Sequence, residues 1–106
     1  MSKIKSKQNN RKQKVTFSIY SPDAEEVTLI GDFNNWNPKK HPMKKDGNGL
    51  WAKSVIIPPG QYEYKYLIDG EWKEDPQNIL TVPNSYGTRN SVLNLGNRSS
   101  WERVKP

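Results

Sequence analysis

From Tyr62 to Lys73 the chain reads Tyr-Glu-Tyr-Lys-Tyr-Leu-Ile-Asp-Gly-Glu-Trp-Lys, and no other segment limits the possible folds as much. Tyr62, Tyr64, Tyr66 and Ile68 recur at every second position, the period at which side chains of a β-strand share a face, while Glu63, Lys65 and Leu67 take the opposite face. Asp69-Gly70 is a preferred type I′ pair, because both central positions of that turn need positive φ. The strand therefore reverses into Glu71-Trp72-Lys73 as a hairpin, with Trp72 just past the turn.

Shorter strands surround this hairpin. Val15, Phe17 and Ile19 alternate with Thr16, Ser18 and Tyr20 until Ser21-Pro22-Asp23 breaks the pattern. Val27 to Ile30 is a β-branched run closed by Gly31. The loop Asp32-Phe33-Asn34-Asn35-Trp36-Asn37-Pro38 follows, marked by its density of Asn and Pro. After a turn at Asp46-Gly47-Asn48-Gly49, Leu50 to Ile57 forms a third strand, and Pro58-Pro59-Gly60 ends it because proline supplies no ladder donor. Asp75-Pro76 to Ser85 reads as a connecting segment and Ser91 to Leu95 as a closing strand. Five to seven short strands without an amphipathic helix or an internal repeat predict an all-β, immunoglobulin-like antiparallel β-sandwich.

The chain has 106 residues, room for one domain. Its formal charge of +6 is lopsided: residues 1–14 hold six Lys/Arg and no acid, leaving eleven basic and eleven acidic residues in the rest. A segment that polar cannot bury enough surface to offset its ordering entropy, so residues 1–14 are expected to be a disordered basic tail. Residues 15–95 form the sandwich in this reading. Residues 96–106 are a C-terminal tail, from which Trp101 could fold back. The tail has no apolar stretch of a secretory signal, and no run approaches the ~20 apolar residues of a membrane span, so the expectation is a soluble, cytoplasmic protein with no membrane partner. With no Cys and the lone His41, neither disulfides nor a thiolate or zinc site is expected, and no cofactor is implied.

Gly31-Asp32-Phe33-Asn34-Asn35-Trp36, a Pro-Pro-Gly turn, Tyr64-Lys65-Tyr66-Leu67-Ile68-Asp69-Gly70-Glu71-Trp72, Asp75-Pro76 and Tyr86-Gly87-Thr88-Arg89-Asn90-Ser91-Val92 occur in this order. The series strongly resembles carbohydrate-binding module family 48. That family includes the glycogen-binding domain of the AMP-activated protein kinase β subunit and the early-set domains that precede isoamylases and branching enzymes. The resemblance implies an early-set sandwich that binds α-1,4-glucans such as glycogen, starch and malto-oligosaccharides without catalysis. It assigns the two sugar-stacking tryptophans to Trp36 and Trp72, the strand lysine to Lys65 and the amide that bonds sugar hydroxyls to Asn90. Tyr86 stands where many β subunits carry leucine, and Thr88 joins the site from the same loop.

The residues support that assignment on their own terms. A pyranose has an apolar C–H face and a rim of hydroxyls, so its binder needs flat aromatic surface edged by hydrogen-bonding groups. Trp36 is flanked by Asn34, Asn35 and Asn37, with Phe33 beside it as the buried anchor, and Trp72 is flanked by charged Glu71, Lys73 and Glu74. Both indoles are therefore expected to face solvent, roughly coplanar, at one edge of the scaffold. Trp51 shares its parity with Val55 and Ile57 and belongs to the core. Two indoles each removing ~100 Å² of apolar area from water would contribute roughly 5 kcal/mol, much of it cancelled by association entropy.

Other functions fit less well. A glycosidase needs two carboxylates across a cleft, but Asp69 sits in a turn and Asp75 precedes Pro76. Nucleic acid is not expected as a partner, because the basic charge lies apart from the aromatics. The alternative is a protein-interaction module that regulates a kinase or glucan-metabolising enzyme in trans.

Overall fold

The computed structural model describes residues 11–96. Eight strands run in the order β1 (Gln13–Tyr20), β2 (Val27–Gly31), β3 (Lys44–Lys45), β4 (Leu50–Ile57), β5 (Gly60–Ile68), β6 (Glu71–Lys73), β7 (Thr81–Pro83) and β8 (Arg89–Leu95), with one 3₁₀ turn at Asp32–Asn34. They form two antiparallel sheets, β1-β4-β3 and β2-β5-β8-β7, with β6 paired to β5. The protein is an all-β, immunoglobulin-like early-set sandwich. No helix among the described residues is long and apolar enough to cross a membrane.

The inward faces follow the alternation. Phe17 and Ile19 of β1, Val27 and Leu29 of β2, Trp51, Val55 and Ile57 of β4, and Tyr64 and Tyr66 of β5 are buried in one cluster between the sheets. The Phe17 and Tyr64 rings meet edge-on at 4.9 Å. Trp51 is buried and its Nε1–H donates to the Ser21 carbonyl at 2.8 Å, which satisfies the indole's single donor. The hairpin turn has φ of 48° at Asp69 and 87° at Gly70, the type I′ signature. The Asp69 carboxylate also accepts the Glu25 and Glu26 N–H groups, which ties the hairpin tip to the loop before β2.

A carboxylate also enters this core. Asp75 Oδ2 accepts the Tyr64 hydroxyl at 2.7 Å, the Tyr66 hydroxyl donates to the Ser18 carbonyl at 3.2 Å and lies 3.5 Å from the same Asp75 oxygen, and Ser91 Oγ accepts the Asp75 N–H. Burial, with the Asp75 charge beside them, pushes both phenols above their ordinary range. Asp75 thus leaves the connecting segment to become a core acceptor, and Asn78 joins it by donating to the Tyr64 oxygen and the Val92 carbonyl.

Several elements differ from the sequence reading, β8 beginning at Arg89 rather than Ser91 and β5 at Gly60 rather than Tyr62. β1 begins at Gln13, not Val15, because ladder pairing is a backbone property: Gln13 and Lys14 face Ile57 and Ile56 across β4 whatever their polarity. Gln13 Nε2 also donates to the Gly96 carbonyl, so the ordered sandwich reaches both positions. β7 falls inside the segment that reads from sequence as a connection, and β3 in a stretch to which the sequence pattern gives no element; each is short, and each is a strand only because a longer neighbour, β4 or β8, offers an unpaired edge. The readings for residues 1–10 and for Trp101 lie outside the described residues.

The pairing of β5 positions everything that follows. β2 covers one edge, while the other is shared end to end by β8, opposite Gly60–Tyr64, and β6, opposite Tyr66–Ile68. Lys65 lies at the junction. On its outer face, directly opposed residues share a side, so Ile30, Lys65, Leu67, Trp72, Glu63 and Val92 line one surface. Ile30 and Val92 are buried there without belonging to the inter-sheet cluster.

Candidate functional site

Trp36 reaches this outer face through a strained loop. A Cβ on Gly31 would lie 2.6 Å from the Glu63 carbonyl oxygen and 2.7 Å from the Tyr64 Cβ, so only glycine lets the end of β2 press against β5. The chain then makes its 3₁₀ turn and passes through two consecutive left-handed residues, Asn35 at φ 57° and Trp36 at φ 58°. A bulky residue in that region costs on the order of 1–3 kcal/mol, and its neighbours must over-determine it.

Two side chains do so. Asp32 Oδ1 accepts the Trp36 Nε1–H at 2.9 Å and Asp32 Oδ2 accepts the Glu63 backbone N–H at 2.7 Å, which couples the indole to β5. Buried Asn34 accepts the Gly31 N–H at Oδ1 and donates from Nδ2 to the Leu29 carbonyl and to His41 Nδ1. Because the Gly31 N–H requires an oxygen, the amide cannot be flipped, and His41 Nδ1 must accept. His41 is therefore neutral in this arrangement. Burial, then Lys53 and Lys40, hold its imidazole below the usual value.

Trp72 stands on β6 with about half its surface exposed, whereas Trp36 is partly buried. Their centroids are 6.4 Å apart and their planes are inclined by 52°, so the indoles are not coplanar as the sequence reading expected. The reason is their origin: one plane is set by a left-handed loop, the other by a strand.

The polar wall is a continuous chain of hydrogen bonds. Lys65 is nearly buried, and its Nζ donates to Thr88 Oγ1 at 3.1 Å. Asn84 Nδ2 donates to Thr88 Oγ1 and to Asn90 Oδ1, while Asn90 Nδ2 donates to Glu63 Oε1. Asn84 Oδ1 accepts the Tyr86 and Thr88 N–H groups, closing the β7–β8 loop and lifting Tyr86, 89% exposed, to its tip.

An open groove of about 680 Å³ results, lined by Trp36, Lys65, Trp72, Asn84, Tyr86, Thr88 and Asn90. All six residues named from the sequence border it. Asn84, Asp32 and Glu63 were missed. Asn84 carried a readable signal, an Asx-turn residue three positions before Gly87. Asp32 and Glu63 carried none, since their partners are fixed only by the fold. The surface offers flat aromatic area beside ammonium, amide and hydroxyl groups. The carboxylates of Asp32 and Glu63 hold Trp36 and Asn90. Among the described residues no His, Asp or Glu cluster could hold a metal ion.

A sequence profile described as carbohydrate-binding module 48, the isoamylase N-terminal domain, matches residues 4–85. The chain belongs to carbohydrate-binding module family 48. Among curated relatives, it is 40% identical over 79 residues to Protein PTST homolog 2, chloroplastic, of Arabidopsis thaliana, covering 74% of this chain and 14% of that protein. It is 37% identical over 72 residues to 5'-AMP-activated protein kinase subunit beta-1 of Sus scrofa, covering 68% of this chain and 56% of that subunit. Over 73 residues it is 42% identical to the 1,4-alpha-glucan branching enzyme GlgB of Synechococcus sp. (strain JA-3-3Ab), covering 60% of this chain and 9% of the enzyme. The chain thus spans only part of each relative. Family 48 modules occur in proteins named as kinase subunits, branching enzymes and chloroplast proteins, so membership does not fix a compartment.

Proposed function

We propose that the groove binds α-1,4-linked glucan, the apolar faces of successive glucose units resting on Trp36 and Trp72, and that the module performs no chemistry on the sugar. The observation that carries this reading is the convergence of three aromatic side chains and four polar ones on one open surface. The ammonium of Lys65 has three donors, of which Thr88 takes one, leaving two for sugar hydroxyls. The Asn90 amide retains one N–H beyond its bond to Glu63. The 52° inclination suits a chain whose successive units turn rather than a flat ribbon, which favours the helical α-1,4 linkage over an extended β-linked polymer.

Titration with maltoheptaose or β-cyclodextrin, followed by tryptophan fluorescence, tests the proposal. The expected affinity is micromolar to millimolar, and Trp36→Ala and Trp72→Ala should each weaken it by about tenfold or more. Unchanged affinity in both variants would overturn the reading.

The kinase subunit and branching enzymes among the relatives favour a second role, docking on a kinase or a glucan-metabolising enzyme. A protein partner that co-purifies equally from glycogen-bearing and glycogen-free cells would support it. Partners recovered only with glycogen would refute it.

A further inference from the structure

Trp72 borders a second groove as well as the first. A depression of about 510 Å³ near the ends of β1 and β6 is lined by Tyr20, Trp72, Glu71, Lys73 and Glu74 together with apolar residues such as Ile68. Tyr20 is the last residue of β1 and is 65% exposed. By register it faces Leu50 at the end of the β1–β4 ladder, so the position is fixed by backbone pairing although its ring is unburied.

Resting on the glucan reading of the first groove, we propose that this depression is a second sugar subsite, occupied by the continuation of the same α-glucan chain after it passes Trp72. Tyr20 supplies a second aromatic platform. Glu71 and Glu74 supply carboxylate acceptors, and Lys73 an ammonium donor, for the hydroxyl rim. The chemistry repeats that of the first groove with the polarity shifted: the first is edged by an ammonium and amides, the second mainly by acceptors, so it takes hydroxyls as donors. The occupant is set by continuity. Trp72 lines both grooves, so a glucan long enough to pass it has the second within reach. The proposal predicts that affinity rises with chain length beyond what the first groove alone can hold.

The test compares maltotetraose with maltodecaose by isothermal titration of the full chain, for the wild type, Tyr20→Ala and Tyr20→Phe. The wild type should bind maltodecaose about tenfold more tightly than maltotetraose. Tyr20→Ala should lose that gain while binding maltotetraose as the wild type does, and Tyr20→Phe should keep it, because the ring and not the hydroxyl is used. Unaltered maltotetraose binding serves as the folding control. Equal length dependence in Tyr20→Ala and wild type, or equal loss on both ligands, would overturn the second subsite and leave the first groove intact. Failure of the wild type to bind either ligand would overturn both.

Discussion

Replacing Asp32 by Asn isolates how the protein aims an indole. Each Asp32 carboxylate oxygen accepts one N–H, from the Trp36 ring at 2.9 Å and from the Glu63 backbone at 2.7 Å. Asparagine has one carbonyl oxygen, so Asp32→Asn turns its amide group toward one of these donors and must abandon it. The site is exposed, which places the lost bond near about 1 kcal/mol of stability rather than the larger value of a buried charged pair. The larger consequence concerns the proposed binding. On the glucan reading, a freed indole must be ordered each time sugar binds, at about 0.5–1.5 kcal/mol, equivalent to a two- to tenfold weaker maltoheptaose complex. Urea unfolding and fluorescence titration measure the two effects separately. A cycle with Trp36→Ala decides the mechanism: if Asp32 acts only by positioning Trp36, Asp32→Asn should cost no further affinity once the indole is gone. Additive losses, or unchanged affinity in the single variant, would refute the positioning role.

Two further outcomes follow from the same hydrogen bonds. Asn84→Ala removes the acceptor of the Tyr86 and Thr88 N–H groups and the donor to Thr88 and Asn90, and should destabilise the fold by about 1–3 kcal/mol and weaken glucan binding, as read by denaturant midpoints and by titration. His41 must be neutral to accept from Asn34, and its folded-state pKa lies below that of the unfolded chain. The unfolded state therefore binds the proton first as pH falls, so this contribution to stability is complete above about pH 6.5 and declines below it; a His41→Gln variant should flatten the dependence of the urea midpoint over that interval.

Side-chain period was enough to read the sheets, because alternation at Val15–Tyr20 records which face is buried, and at Tyr62–Ile68 it separates the residues that pack between the sheets from those on the outer face. The type I′ turn at Asp69-Gly70 was legible for a similar reason, its backbone demand being met by local residue types. β3 and β7 were not, since two- and three-residue strands carry no period and exist only against β4 and β8. Within the candidate site, the family resemblance pointed to Trp36, Lys65, Trp72, Tyr86, Thr88 and Asn90, but not to how they are held.

By itself, the sequence determined that this chain folds as a β-sandwich and that its surplus of aromatic residues must partly face water. The tertiary structure decided the rest of the site: that Lys65 is nearly buried against Thr88, that Asp32 links an indole to β5, that the two rings meet at 52°, and that Trp72 borders two grooves. The physical reason is range. Hydrophobic period and turn chemistry act between residues a few positions apart, whereas the angle between Trp36 and Trp72 depends on how the loop after β2 and the strand β6 are both held against β5, and that arrangement exists only once the strands are paired.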